Sequence, residues 1–213
     1  MADRVAGYET DRPDVQAHVP IDASSVLELG CSAGALGAAL KGRGVATYVG
    51  VELDPEYAEL ARDRLDRVVV ADAEAFLADP VAPPEAPFDC LVAADVLEHL
   101  VDPWSALRRA TQLVRPGGTV VISVPNVLFA PALLRLVRGR RWPREDEGVF
   151  DRTHLRWFSR SDAVELVEQA GLREIFVEPR FFVEGAKLAR RRQLARTPLG
   201  PFLPAQHIVT GVR

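Results

Sequence analysis

The sequence predicts an α/β fold in which a parallel sheet carries helices on both faces. Three observations lead there. Strand-like and helix-like segments alternate along the 213-residue chain, an order that belongs to parallel sheets crossed over by helices. The strand candidates, such as Arg67-Val68-Val69-Val70 and Phe88 to Ala93, are continuous apolar runs that do not alternate with polar residues, as expected where a strand is buried on both sides. The first of these runs, Val26-Leu27-Glu28-Leu29, ends in a turn with glycines at 30, 34 and 37. There the backbone approaches a ligand closely and a helix N-terminus offers free N–H groups.

Taken in order, the pattern gives strand 26–29, helix 34–42, strand 46–51 and helix 55–65, the last with Pro55 at its start and Glu56 in its first turn. Strand 67–71 and its helix follow, then a Pro/Ala-rich connector over 80–87. Beyond it come strand 88–93, helix 104–114 and strand 118–124, the last entered through Pro116-Gly117-Gly118. After an insert, helix 161–170 has Ser161 as its N-cap candidate and Gly171 as its stop, and strands 172–178 and 206–212 close the chain.

Composition narrows the class. The chain is 48% hydrophobic and 26% charged, with length for one good core and one domain over 1–213. A net charge of −4 gives no basic field, so nucleic acid is not an expected partner. Two cysteines without a C-x-x-C pair point to a reducing, cytoplasmic setting and to neither a disulfide framework nor zinc. No apolar N-terminal leader or 18-residue apolar run stands out. The histidines 18, 99, 154 and 207 are scattered without ligand spacing, which predicts no metal site.

The glycine turn decides the ligand. A dinucleotide fingerprint requires G-x-G-x-x-G, and Ser32 stands at the second glycine position. That disfavours a nicotinamide-dependent oxidoreductase. Glu28-Leu29-Gly30-Cys31-Ser32-Ala33-Gly34 instead resembles motif I of the class I S-adenosylmethionine-dependent methyltransferases, E/D-x-G-x-x-x-G. Four further segments resemble that family in its order. They are Val49-Gly50-Val51-Glu52-Leu53-Asp54, with Glu52 at a strand tip 22 residues after Gly30; Val70-Ala71-Asp72-Ala73; Phe88-Asp89 through Asp95-Val96-Leu97-Glu98-His99-Leu100; and Leu113 through Pro116-Gly117-Gly118. More loosely, Thr153-His154-Leu155-Arg156-Trp157-Phe158-Ser159 and Tyr8-Glu9-Thr10-Asp11-Arg12-Pro13 resemble a branch acting on small molecules and glycans.

The resemblance implies a Rossmann-like, doubly wound sheet of seven mostly parallel strands with the last antiparallel. It also implies S-adenosylmethionine as cofactor and S-adenosylhomocysteine as product. Cofactor contacts fall on Glu28, Gly30, Cys31, Ser32, Gly34, Glu52, Leu53, Asp72, Ala73 and Asp95, with Glu52 on the ribose, Asp72 and the Ala73 N–H on the adenine, and Asp95 at the methionine end. Residues 1–22 would cover the cofactor, 126–160 would form a substrate-side insert or lid, and 180–205 a basic connector. His154 and His99 are the acid/base candidates, and Arg156, Trp157, Tyr8 and Arg12 the acceptor-side ones.

The expected reaction is direct methyl displacement onto a small-molecule or glycan/lipid-precursor acceptor at oxygen. No N-P-P-F/Y motif for planar amines follows the fourth strand, where Ala94-Asp95-Val96-Leu97 stands. The alternative is a silent methyltransferase-like partner subunit. Two readings of 127–142 stay open: a lid packed on the core, or an apolar helix with Arg138, Arg140, Arg141 and Trp142 lying peripherally on the inner membrane face.

Overall fold

A computed structural model describes residues 10–79, 81–183 and 185–213. A short helix α1 (Pro13–Gln16) leads into β1 (Ser25–Leu29), α2 (Ala35–Gly42), β2 (Thr47–Glu52), α3 (Pro55–Arg62), β3 (Arg67–Val70) and α4 (Ala73–Ala78). Next come β4 (Phe88–Ala94), a 3₁₀ turn (Leu97–His99), α5 (Pro103–Gln112), β5 (Val114–Pro125) and α6 (Ala130–Gly139). The chain ends with α7 (Arg160–Gln169), β6 (Arg173–Arg180), α8 (Gly185–Leu194) and β7 (Gln206–Val212).

The strands form one sheet in the order β3-β2-β1-β4-β5-β7-β6. All pairings from β3 to β5 are parallel, and β7 runs antiparallel to both β5 and β6. This is the class I methyltransferase topology. Because β1 lies between β2 and β4, the crossovers leave it in opposite directions and open a crevice at the carboxyl ends of the strands.

Side chains alternate between two cores. Leu27 and Leu29 of β1, Leu91 and Ala93 of β4 and Ile122 of β5 meet Leu77 of α4, Leu107 of α5 and Leu166 of α7 on one face. Val26, Tyr48, Cys90 and Val121 meet Val15, Leu36, Leu40 and Ala61 of α1, α2 and α3 on the other. Each fully buried Leu or Val contributes roughly 1.5–3 kcal/mol from burial, so both faces fix the strand register. A small third cluster of Ala132, Val149 and Phe150 lies under α6.

The helix after β3 spans residues 73–78 and is capped by Asp72, whose carboxylate accepts from Ala75 N at 3.0 Å. Glu98 and His99 lie in the 3₁₀ turn ahead of α5. The N-cap of α7 is Ser159, not Ser161: Ser159 and Asp162 form a reciprocal capping box, each side chain bound to the other's backbone N–H. The basic 180–205 stretch contains α8.

Candidate active site

The loops after β1, β2, β3 and β4 surround a cavity of about 550 Å³. Its walls include Gly30, Cys31 and Ser32 from the first loop, Glu52 and Leu53 from the second, Asp72 and Ala73 from the third, and Asp95, Val96 and His99 from the fourth. Arg12, ahead of β1, and Thr153, from the insert after β5, also reach it, and Glu28 forms part of its floor.

The first loop is wired to β2. Gly30 N and Cys31 N both donate to Val51 O, at 2.8 and 3.1 Å, Ser32 N donates to Glu52 Oε2 at 2.7 Å, and Gly34 N donates to Cys31 O at 2.8 Å. These amides are therefore already bonded within the protein and form no nest for a pyrophosphate. Gly30 at φ +71° and Gly34 at φ +79° take left-handed conformations. A Cβ on Gly34 would press on Ala61 and Leu65 at 3.2 Å, so this glycine packs the loop against α3 and does not line the cavity.

Glu52 is held at both oxygens, Oε2 by Ser32 N and Oε1 by Asp54 N at 2.9 Å, and each oxygen keeps a second acceptor site at the cavity wall. Glu28 is buried and accepts from the Tyr48 hydroxyl at 2.8 Å. Burial pushes its carboxyl up to about 8. The Cys31 thiol is raised by burial and by the nearby Glu28 and Glu52, so it stays protonated and serves as packing.

Among the described residues, Arg12 brings a guanidinium to the cavity. Its guanidinium contacts Asp95 at 2.6 Å and Asp14 at 3.0 and 3.1 Å. Asp95 also accepts from Ser123 Oγ at 3.0 Å and from Gln206 Nε2. Burial works against the Arg12 charge, yet the two carboxylates hold its pKa raised.

At the far end, His99 lines the cavity and its ring lies 4.7 Å, edge-on, from that of His154. His154 sits behind it, buried, with Nδ1 3.2 Å from Val149 O and Nε2 3.9 Å from Glu98 Oε1. Burial, then neighbouring His99, holds the His154 pKa down. The backbone amides of Leu155 and Arg156 donate to Glu98 O at 2.8 and 3.0 Å, which pins the 153–158 segment over the 3₁₀ turn.

Two acceptor-side candidates lie outside the cavity lining. Arg156 donates to the carbonyls of Leu155 and Val101, and so staples the roof without facing the cavity. Trp157 donates to Val149 O at 3.2 Å and packs edge-on against Trp142 at 4.9 Å, which anchors the insert. Tyr8 lies outside the described residues. His18 pairs with Glu178 at 3.1 Å, and His207 is buried in β7 with its pKa lowered by burial to about 4. Sequence reasoning missed Glu98, whose buried carboxylate has neither oxygen hydrogen-bonded.

Residues 8–175 match the methyltransferase domain family. The chain belongs to that family. It is a class I S-adenosylmethionine-dependent methyltransferase domain. A ubiquinone biosynthesis O-methyltransferase of Xylella fastidiosa (strain 9a5c) is 31% identical over 125 residues, 58% of this chain and 50% of that protein. The chain thus spans about half the length of the curated relatives it matches. The fold is shared with a SAM-dependent methyltransferase from Archaeoglobus fulgidus (TM-score 0.66, 17% identity, 99% and 90% of the two chains). It is likewise shared with one from Mesorhizobium loti (TM-score 0.65, 20% identity, 94% and 96%).

The residues of this methyltransferase domain fit the family's cofactor. The loop amides offer no phosphate cradle, the fixed Glu52 carboxylate suits a vicinal diol, and Asp72 with the first-turn N–H of Ala73 suits a heteroaromatic edge. Among the described residues no helix is long and apolar enough to cross a membrane.

Proposed function

We propose that the protein transfers the methyl group of S-adenosylmethionine to an oxygen of a small-molecule or lipid- or glycan-linked acceptor. One observation carries this: a single cavity joins the Glu52 and Asp72 walls to an imidazole-lined end at His99 and Thr153. The cofactor supplies a methyl group already activated on a sulfonium sulfur. Glu52 accepts from the ribose hydroxyls, Asp72 and Ala73 read the adenine, and Arg12 beside Asp95 meets the amino-acid end. Gly30 and Leu53 shape the wall, and residues 10–22 and 126–160 cover the two ends of one catalytic unit.

The chain's own work is then positioning. Orienting two reactants in line supplies on the order of 7–11 kcal/mol of barrier reduction. The acceptor oxygen lies at the His99 end, with His154 and Glu98 behind it. Oxygen is favoured over a planar amine because Ala94-Asp95-Val96-Leu97 stands where amine methylation uses N-P-P-F/Y, and the Xylella relative is named an O-methyltransferase. Exposed Leu134, Val137 and Trp142 on and after α6, beside Arg138, Arg140 and Arg141, favour a lipid-linked acceptor met at a membrane surface.

The test is transfer from methyl-tritiated S-adenosylmethionine into host extract, separated into lipid, glycan, small-molecule and protein fractions. Label in a base-stable methyl ether of a lipid, glycan or small molecule supports the reading. Label on nitrogen or protein rejects it, and cofactor binding without label favours a silent partner subunit.

Glu52→Ala is expected to weaken cofactor binding by about 1.5–3 kcal/mol, roughly 10- to 150-fold, through loss of charge-assisted hydrogen bonds. Calorimetry giving an unchanged dissociation constant rejects the ribose assignment.

A further inference from the structure

We propose that Glu98, His99 and His154 bind a divalent transition-metal cation at the acceptor end of the cavity. One ligand atom from each of the three lies within 4.8 Å of the others, and His154 Nε2 stands 3.9 Å from Glu98 Oε1. Bonds of about 2.0–2.2 Å to a shared ion place ligand atoms roughly 3–4 Å apart, so the cluster closes on a cation with shifts below an ångström.

Glu98 is the second, independent sign. It is 1% exposed, and neither carboxylate oxygen has a hydrogen-bond partner. A buried carboxylate without a partner is costly, and a coordinated cation removes that cost.

The two imidazoles are set for the same task. The Thr153 hydroxyl donates its single proton to Asp151 Oδ1 at 2.5 Å, so at 3.1 Å from His99 Nδ1 its oxygen is the acceptor and Nδ1 carries the hydrogen. His154 Nδ1 faces the Val149 carbonyl at 3.2 Å and must also donate. In both rings Nε2 is left with its lone pair. Fixing the tautomer by a hydrogen bond from the other ring nitrogen is the usual arrangement of metal-bound histidine. The backbone bonds from Leu155 and Arg156 to Glu98 O hold the two halves of the cluster together before any ion arrives.

Two imidazole nitrogens and one carboxylate select first-row ions such as Zn²⁺, Co²⁺, Mn²⁺ or Fe²⁺ over Mg²⁺ or Ca²⁺. Three protein ligands leave positions open, and His99 turns them toward the cavity. Resting on the oxygen-acceptor reading, the cation takes the acceptor hydroxyl as a further ligand and lowers its pKa. The hydroxyl proton leaves to solvent. An oxygen lone pair then forms the new O–CH₃ bond, while the electron pair of the broken S–CH₃ bond returns to sulfur and leaves a neutral thioether. His99 and His154 are thus ligands in this scheme, and no protein base is required.

The experiment is titration of chelator-treated protein with Co²⁺, read by visible d–d absorption and calorimetry, with Zn²⁺ as competitor. One equivalent is expected to bind, and Glu98→Gln, His154→Ala and His99→Ala each to weaken it at least tenfold. Cofactor affinity of the Glu98 and His154 variants, whose side chains do not line the cavity, reports that they are folded. The half-buried His99 position gives a second variant should either buried one fail to fold. Absence of stoichiometric binding, or equal binding by folded variants, overturns the site. Metal binding is measured without an acceptor, so it stands if the oxygen reading fails. Methyl transfer to oxygen that is insensitive to chelation overturns the Lewis-acid role.

Discussion

Gly30→Val is expected to reduce cofactor affinity more than a hundredfold while the fold persists. Gly30 holds φ +71°, which costs an ordinary residue about 1–2 kcal/mol and a β-branched one more. Its Cβ would also lie 2.5 Å from Cγ2 of Val96. Val96 is itself stiff at χ1 and follows Asp95, which already sits at φ +57° and gathers Arg12, Ser123 and Gln206. The overlap is therefore relieved by moving the β1 or β4 loop, and both line the cavity. Gly42→Ala is the matched control. It lies at the end of α2 with open space around its Cβ position, so it should bind as the parent does and gain up to about 1 kcal/mol of stability from helix propensity. Calorimetry and thermal melts of the two variants separate site damage from general destabilisation. Near-parent affinity in Gly30→Val rejects the close-approach role.

What was legible in the sequence follows from how local each signal is. The buried strands, the glycine turn and the acids at the strand tips are encoded within a few residues, and the structure places Glu28, Gly30, Ser32, Glu52, Asp72 and Asp95 around one crevice. Chain topology does this without further information, because parallel strands deliver their carboxyl ends to the same edge. Side chains on the insert were less legible. Arg156 and Trp157 follow a loop whose path depends on the packing of Trp142 and Phe150, and both turn away from the cavity. The Ser159 cap was readable through the S-x-x-D spacing to Asp162, a stronger signal than a lone Ser161. The Glu98, His99 and His154 cluster had no sequence spacing to betray it. Its halves belong to the β4 loop and the insert, with α5, β5 and α6 between them, and only the fold makes them neighbours.

Glu28→Gln is expected to change how stability depends on pH, in protein free of cofactor. Glu28 is 4% exposed within β1, and burial raises its carboxyl to about 8, against an unfolded value near 4.5. Between those two pH values the native chain keeps the proton and the unfolded chain has released it. The unfolded state thus binds fewer protons, and stability falls as pH rises through this window. Each pH unit costs about 1.4 kcal/mol, for a total on the order of 4 kcal/mol before the native carboxyl ionises and the slope flattens above about 8. Glutamine does not titrate, and its carbonyl can accept the Tyr48 hydroxyl, which currently donates to Glu28 Oε2 at 2.8 Å. Tyr48 itself stays protonated throughout, since burial and then Glu28 raise its pKa well above the usual value. Every other titrating group is common to both proteins, so the stability difference isolates Glu28. Urea unfolding between pH 5 and 8.5 should show the variant gaining on the parent by about 1.4 kcal/mol per unit across the middle of that range. A difference that stays constant with pH shows that Glu28 is ionised in the native cavity. Its charge would then be held by Arg12, the cation that lines the same pocket.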